Sequence, residues 1–204
     1  EQSNALKALR QTDDELIVGN YIVLFGGRDL EGIVPNSRQN KDGSIGEFFT
    51  EKTVLDSPYT KTGMLYVDWE HGIGKHLDGE GAPGRDDVLG YVKWKTAKAD
   101  GRGIWAERAL NRHNAYMQWL EELIEEGIVG TSSEAIPSDV EIKANGEIAR
   151  WPLRRDTMTL TPMEPRMISD NALAALKALA DRMPSAKAWL DRADSKTLLE
   201  ATPG

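Results

Sequence analysis

Cysteine is missing from all 204 residues. Disulfide frameworks, thiolate zinc sites and a cysteine nucleophile are thereby excluded, and covalent catalysis would run through Ser, Thr, Lys or a carboxylate. Long hydrophobic runs are missing too. None approaches the ~20 apolar residues of a membrane helix, and the polar start of the chain, residues 1–15, lacks the apolar core of a signal peptide. Positive charge is in deficit: the formal net charge is −8 with both signs interspersed, whereas a nucleic-acid groove needs clustered Lys and Arg. A soluble protein with peptide or protein partners is expected, with no nucleic acid and no membrane.

What is present suffices for one sizeable core, because 40% of the residues are hydrophobic and the length is that of a single domain. Residues 1–19 read as an arm or lead-in helix, 20–166 as the core domain and 167–204 as a helical tail. Apolar runs bounded by Gly, Asn and Asp predict strands over 21–25, 64–69, 128–135 and 157–161. Residues 88–94 and 103–110 predict a hairpin about Ala99-Asp100-Gly101, and Asn145-Gly146 turns a second one within 141–151. Tyr116, Met117, Trp119, Leu120, Leu123 and Ile124 recur at helical spacing and Gly127 stops that helix. After Pro165 the composition turns to Ala, Leu and Lys, with Asp170 capping a helix over 171–183 and Ser185 and Ser195 placed to cap two more. The fold class is α+β, mainly β, and many short strands around one helix predict a β-barrel with helical decoration and a C-terminal helical tail.

Three segments carry candidate chemistry. His71 ends an apolar run at the border of a Gly-rich stretch, where an imidazole is held by a rigid element yet faces a cleft, as a general base requires. Alone, it is as readily a loop histidine without a task. Ser132 and Ser133 sit among small residues in Gly130-Thr131-Ser132-Ser133-Glu134-Ala135, which suits a nucleophile approached by substrate but equally an ordinary Ser-Ser turn. Because alternate residues of a strand face opposite sides, only one of the two serines can face His71. Asp156 precedes an alternating strand and suits the orienter of an imidazole; it suits equally a surface partner for Arg154 or Arg155.

Together the segments resemble the prohead maturation proteases of tailed bacteriophages, which share the fold of the herpesvirus assembly proteases. The resemblance runs in order through Tyr21-Ile22-Val23-Leu24-Phe25-Gly26-Gly27 and Asp29-Leu30-Glu31-Gly32, then Val67-Asp68-Trp69-Glu70-His71-Gly72, Leu89-Gly90-Tyr91-Val92, the strand over 101–110 and the segment 130–137. It closes with Trp151-Pro152 and 160–166 and so spans residues 21–166. It implies a herpesvirus-protease-like barrel and a serine endopeptidase in which Ser132 is the nucleophile, Ser133 its one-residue alternative and His71 the base. The family's acidic residue falls at Arg155 in an ungapped match, one place before Asp156. A one-residue shift reverses the face of a strand, so Asp156 serves only if a bulge restores it; Asp68, Glu70 and Glu134 are the other carboxylates near the motifs.

The resemblance further implies cleavage of scaffold and major capsid protein, and of the enzyme itself, inside a viral procapsid in the host cytoplasm. A homo-oligomer is expected, with no cofactor and no metal. Arg154 or Arg155 would assist backbone amides in holding the oxyanion. The alternative is an inactive scaffolding or capsid-associated protein on the same fold, which Arg155 at the acidic position favours. Two weaker signals are set aside. Gly72-Ile73-Gly74-Lys75 lacks the spacing of a phosphate loop, and His71 and His76 with Asp78, Glu80, Asp86 and Asp87 match no zinc pattern.

Overall fold

The computed structural model describes residues 4–30, 40–71, 88–179, 187 and 190–192. The glycine-rich stretch 72–87, with its phosphate-loop and metal readings, and the helices expected after Ser185 and Ser195 fall largely or wholly outside them.

Where an arm or helix was expected at the start of the chain, there is a β-hairpin. Strands β1 (Lys7–Gln11) and β2 (Glu15–Leu24) turn at residues 12–14, where Thr12 Oγ1 accepts from the Glu15 amide at 3.0 Å. Every β1 residue is exposed, so no apolar alternation marks it, while Leu16, Val18 and Ile22 of β2 enter the core. Along its whole length β2 pairs with β5 (Gly103–Asn111), which forms the expected hairpin with β4 (Gly90–Asp100). Asp100 Oδ1 closes that turn by accepting from the amides of Arg102 (2.7 Å) and Gly103 (3.1 Å). Gly90 is required by close approach, because a Cβ there would stand 1.9 Å from the Ala109 carbonyl oxygen.

Beyond β4 come β3 (Tyr66–Trp69), then β9 (Leu153–Thr159) parallel to it, then β6 (Gly130–Ala135) antiparallel at the far edge. The result is one seven-stranded, mostly antiparallel sheet of order β1-β2-β5-β4-β3-β9-β6. Helix α1 (Pro58–Thr62) starts on a Ser57/Thr60 capping box before β3. Helix α2 (Met117–Glu125) buries Met117, Leu120 and Ile124 in the core and gives way to Gly127 in the left-handed region. A small ribbon of β7 (Glu141–Ile142) and β8 (Ile148–Arg150) turns through Asn145-Gly146, and α3 (Asp170–Leu179) follows the sheet.

The predicted barrel is not closed. The sheet curls until β6 lies across from β2, and Leu6 N donates to Val129 O at 3.0 Å, but no ladder joins the two strands. A bulge breaks β2 at residues 21–23, and there the Tyr21 carbonyl accepts from Thr131 Oγ1 (3.2 Å), whose oxygen in turn accepts from Asn20 Nδ2 (2.9 Å). Side chains bridge a gap that backbone pairing would have to span. Beyond the bridge the sheet stays open along the end of β2.

Candidate active site

The open part of the seam is a cleft of 420 Å³, largely apolar, whose walls include Ile22, Val23 and Leu24 of β2 and Thr131–Glu134 of β6, with His71 at its rim. Ser132, Ser133, Glu134 and His71 thus meet in one cavity, though β6 and the turn after β3 are far apart in sequence.

That turn is made by two consecutive non-glycine residues in the left-handed region, Glu70 (φ 47°) and His71 (φ 58°). Such conformations are unfavourable for L-residues and persist where the surroundings impose them. Glu70 supplies the constraint, its carboxylate accepting from Thr159 Oγ1 (2.9 Å) and the Leu160 amide (2.8 Å). The chain is thereby turned so that His71 Nδ1 stands 3.8 Å from Glu134 Oε2.

Register decides which side chains share the site. In the β6–β9 ladder Ser132 is opposite Thr157, Ser133 opposite Asp156 and Glu134 opposite Arg155, while Asp68 of β3 is opposite Thr157. Ser132, Glu134, Arg155, Thr157 and Asp68 therefore lie on one face, with Ser133 and Asp156 on the other. On the first face Arg155 donates from Nη1 to Asp68 Oδ2 (2.9 Å) and from Nε to Glu134 Oε2 (2.7 Å), with Nη2 also on Glu134. Thr157 Oγ1 donates to Asp68 Oδ1 at 2.5 Å. Burial pushes the Glu134 carboxyl up, but the neighbouring His71 imidazole and the Arg155 cation outweigh this and hold it below the ordinary value. For Asp68, wholly buried, burial wins over Thr157 and Arg155 and the carboxyl is raised.

Asp156, expected to orient His71, stands elsewhere. The register irregularity of this strand pair falls at residues 134–135, too far along to turn Asp156 over. Its carboxylate points into the curl of the sheet, where Oδ2 accepts from Arg108 Nε at 2.7 Å, both side chains having no exposure. Glu134 is the carboxylate that meets His71. The signal was legible: a residue two places from Ser132 in a strand shares its face. The two serines also differ, since Trp151 Nε1 donates to Ser133 Oγ (3.2 Å) while the Ser132 hydroxyl has no hydrogen-bond partner among the described residues. Arg154 and Arg155, expected near the oxyanion, both face carboxylates, Arg154 Nη1 standing 3.7 Å from Glu134 Oε1.

Among the described residues no group of three or more His, Asp or Glu side chains is placed to hold a metal, and no helix is long and apolar enough to cross a membrane. Chemically, the cleft offers a free hydroxyl, a half-exposed imidazole and an ionised carboxylate beside an apolar trough. Comparison of the chain with protein-family models, with curated proteins and with solved structures returned no match.

Proposed function

We propose that this chain is a serine endopeptidase in which Ser132 attacks a peptide carbonyl, His71 takes the serine proton and Glu134 orients the imidazole. The observation that carries the proposal is the convergence of these three side chains on one apolar cleft at an open sheet edge. Attack would give a tetrahedral intermediate, and collapse with proton return from His71 to the leaving amine would give an acyl-enzyme that water clears. With Arg154 and Arg155 facing carboxylates, backbone amides rather than these two side chains would hold the oxyanion. An extended substrate segment would lie along the seam between β6 and β2.

The ordered sequence resemblance to phage prohead proteases supports the biological setting. The substrates would be scaffold and major capsid protein segments and the enzyme's own chain, cut by a homo-oligomer inside a procapsid. The inactive-scaffold reading draws on Arg155 at the family's acidic position and on the Ser132 hydroxyl, which has no hydrogen-bond partner among the described residues. Catalytic contacts of this kind often tighten only around substrate, which leaves the active reading ahead.

A fluorophosphonate probe with peptide mapping by mass spectrometry tests the assignment. Adduct on Ser132 in the parent chain and its loss in His71→Ala support the reading. An unreactive Ser132 in a folded parent favours the inactive one, and adduct on Ser133 moves the nucleophile by one residue.

A further inference from the structure

The charged side chains of the cleft are not equally served. Arg155 pairs with Glu134, and Arg166 pairs with Glu164 at 3.0 Å. Asp29 Oδ1 accepts from the Glu47 amide at 2.8 Å, and both of these acids make further contacts. Arg192 differs. It comes from the far end of the chain, where residues 190–192 are helical and Leu190 is buried, and it lines the same cleft as Ser132 and His71. Its Nη2 meets Met163 Sδ at 2.9 Å, a thioether being a weak acceptor. Its Nε is buried without a partner among the described residues.

Nε and Nη2 form one edge of the guanidinium, and that edge binds a carboxylate through two parallel hydrogen bonds. Arginine keeps its charge under all ordinary conditions, so the edge cannot be relieved by losing a proton. With the cleft's described carboxylates already engaged, no described group completes this edge, and a ligand carboxylate would fit it.

We propose that Arg192 reads an acidic side chain, Asp or Glu, of the peptide held in the cleft, so that the C-terminal tail supplies a specificity-determining residue to the site. The proposal rests on the protease reading for the identity of the ligand as a peptide. The tail is then part of the recognition surface, and substrates carrying Asp or Glu at one fixed distance from the cut are preferred over their amides.

The test uses the full chain carrying Ser132→Ala, so that nothing is cut, and follows the arginine Nε–H signals by NMR during titration with acetyl-Leu-Ala-Glu-Ala-Leu-amide. The controls are the same peptide with Gln for Glu and an all-apolar peptide with a free C-terminal carboxylate. The Glu peptide is expected to bind at least tenfold tighter than the Gln peptide and to shift the Nε–H signal missing from Arg192→Gln, and that variant is expected to lose the difference. Equal binding of the Glu and Gln peptides, binding of neither, or capture of only the free-carboxylate peptide overturns the proposal. So does an Arg192→Gln variant that binds every peptide tighter, which would make Arg192 a plug. In a parallel arm, wild type and Arg192→Gln act on a peptide pool, and acidic enrichment at one subsite is expected only for wild type. A Glu preference in binding with no cleavage by wild type would leave Arg192 as the reader while removing the protease reading.

Discussion

Asp156 and Arg108 face each other inside the curled sheet, Oδ2 2.7 Å from Nε, with no exposure on either side chain. Arg108 also donates through Nη1 to the carbonyls of Asn20 (3.1 Å) and Ala106 (2.9 Å), tying β2, β5 and β9 together. Removing one partner leaves the other charge buried and unpaired, which costs about 3–5 kcal/mol in comparable sites. Asp156→Asn is therefore expected to lower Tm by on the order of 10 °C in a chain of this length. Arg108→Met combined with Asp156→Leu is expected to recover much of the loss, as thermal and urea unfolding would show. A variant as stable as wild type would mean that the pair does not hold the sheet.

The position of this pair explains much of what the sequence could and could not tell. The strands from β3 to β8 were legible because apolar runs stop at Gly, Asn and Asp turns, and α2 because its apolar residues recur at helical spacing, whereas β9, expected over 157–161, runs Leu153–Thr159 and so contains Asp156. Strand β1 was hidden because every one of its residues is exposed. The missing closure was hidden because it depends on a bulge at residues 21–23 and on side-chain bridges from Asn20 and Thr131, which leave no periodic trace. His71 and the Ser132-Ser133 pair were singled out from local context, and the fold brings them to one cleft. That Glu134 and not Asp156 stands beside His71 turns on strand parity, and parity needs the register of β6 on β9.

If Glu134 orients His71, Glu134→Gln removes the negative charge while keeping the shape, and kcat/KM on a cleaved peptide is expected to fall about 100-fold or more. Ser133→Ala, which loses only the hydroxyl held by Trp151, is expected to change it less than about threefold, on the general rule that groups outside the transition-state contacts contribute little. Steady-state kinetics on folded protein decides. A Glu134→Gln enzyme with full activity removes Glu134 from the proposed triad.

The same carboxylate makes an acid-side prediction for stability. Its folded pKa lies below the ordinary 4.5. A depressed carboxylate stabilises the fold above its unfolded pKa, and the contribution is lost as pH falls through the lower folded value. The stability difference between wild type and Glu134→Gln is thus expected to be constant at neutral pH and to shrink below pH 4.5. Urea unfolding across that range measures it. A difference that grows on acidification would show that the ion pair with Arg155 does not persist in solution.

Glu70 gives a prediction in which fold and site separate. Its carboxylate holds the turn by accepting from Thr159 and Leu160, while its backbone carries an unfavourable positive φ. Glu70→Ala loses both hydrogen bonds and keeps the strain, so destabilisation of about 1–3 kcal/mol is expected. Glu70→Gly loses the same bonds but relieves φ, so it is expected to be less destabilised by roughly 1 kcal/mol. For catalysis the order reverses. Glycine frees the hinge that presents His71 to Glu134, so Glu70→Gly is expected to be the slower enzyme of the two despite being the more stable protein. Unfolding and kinetics on the same pair of variants test this, and if activity simply follows stability, the turn serves the fold and has no separate part in placing the imidazole.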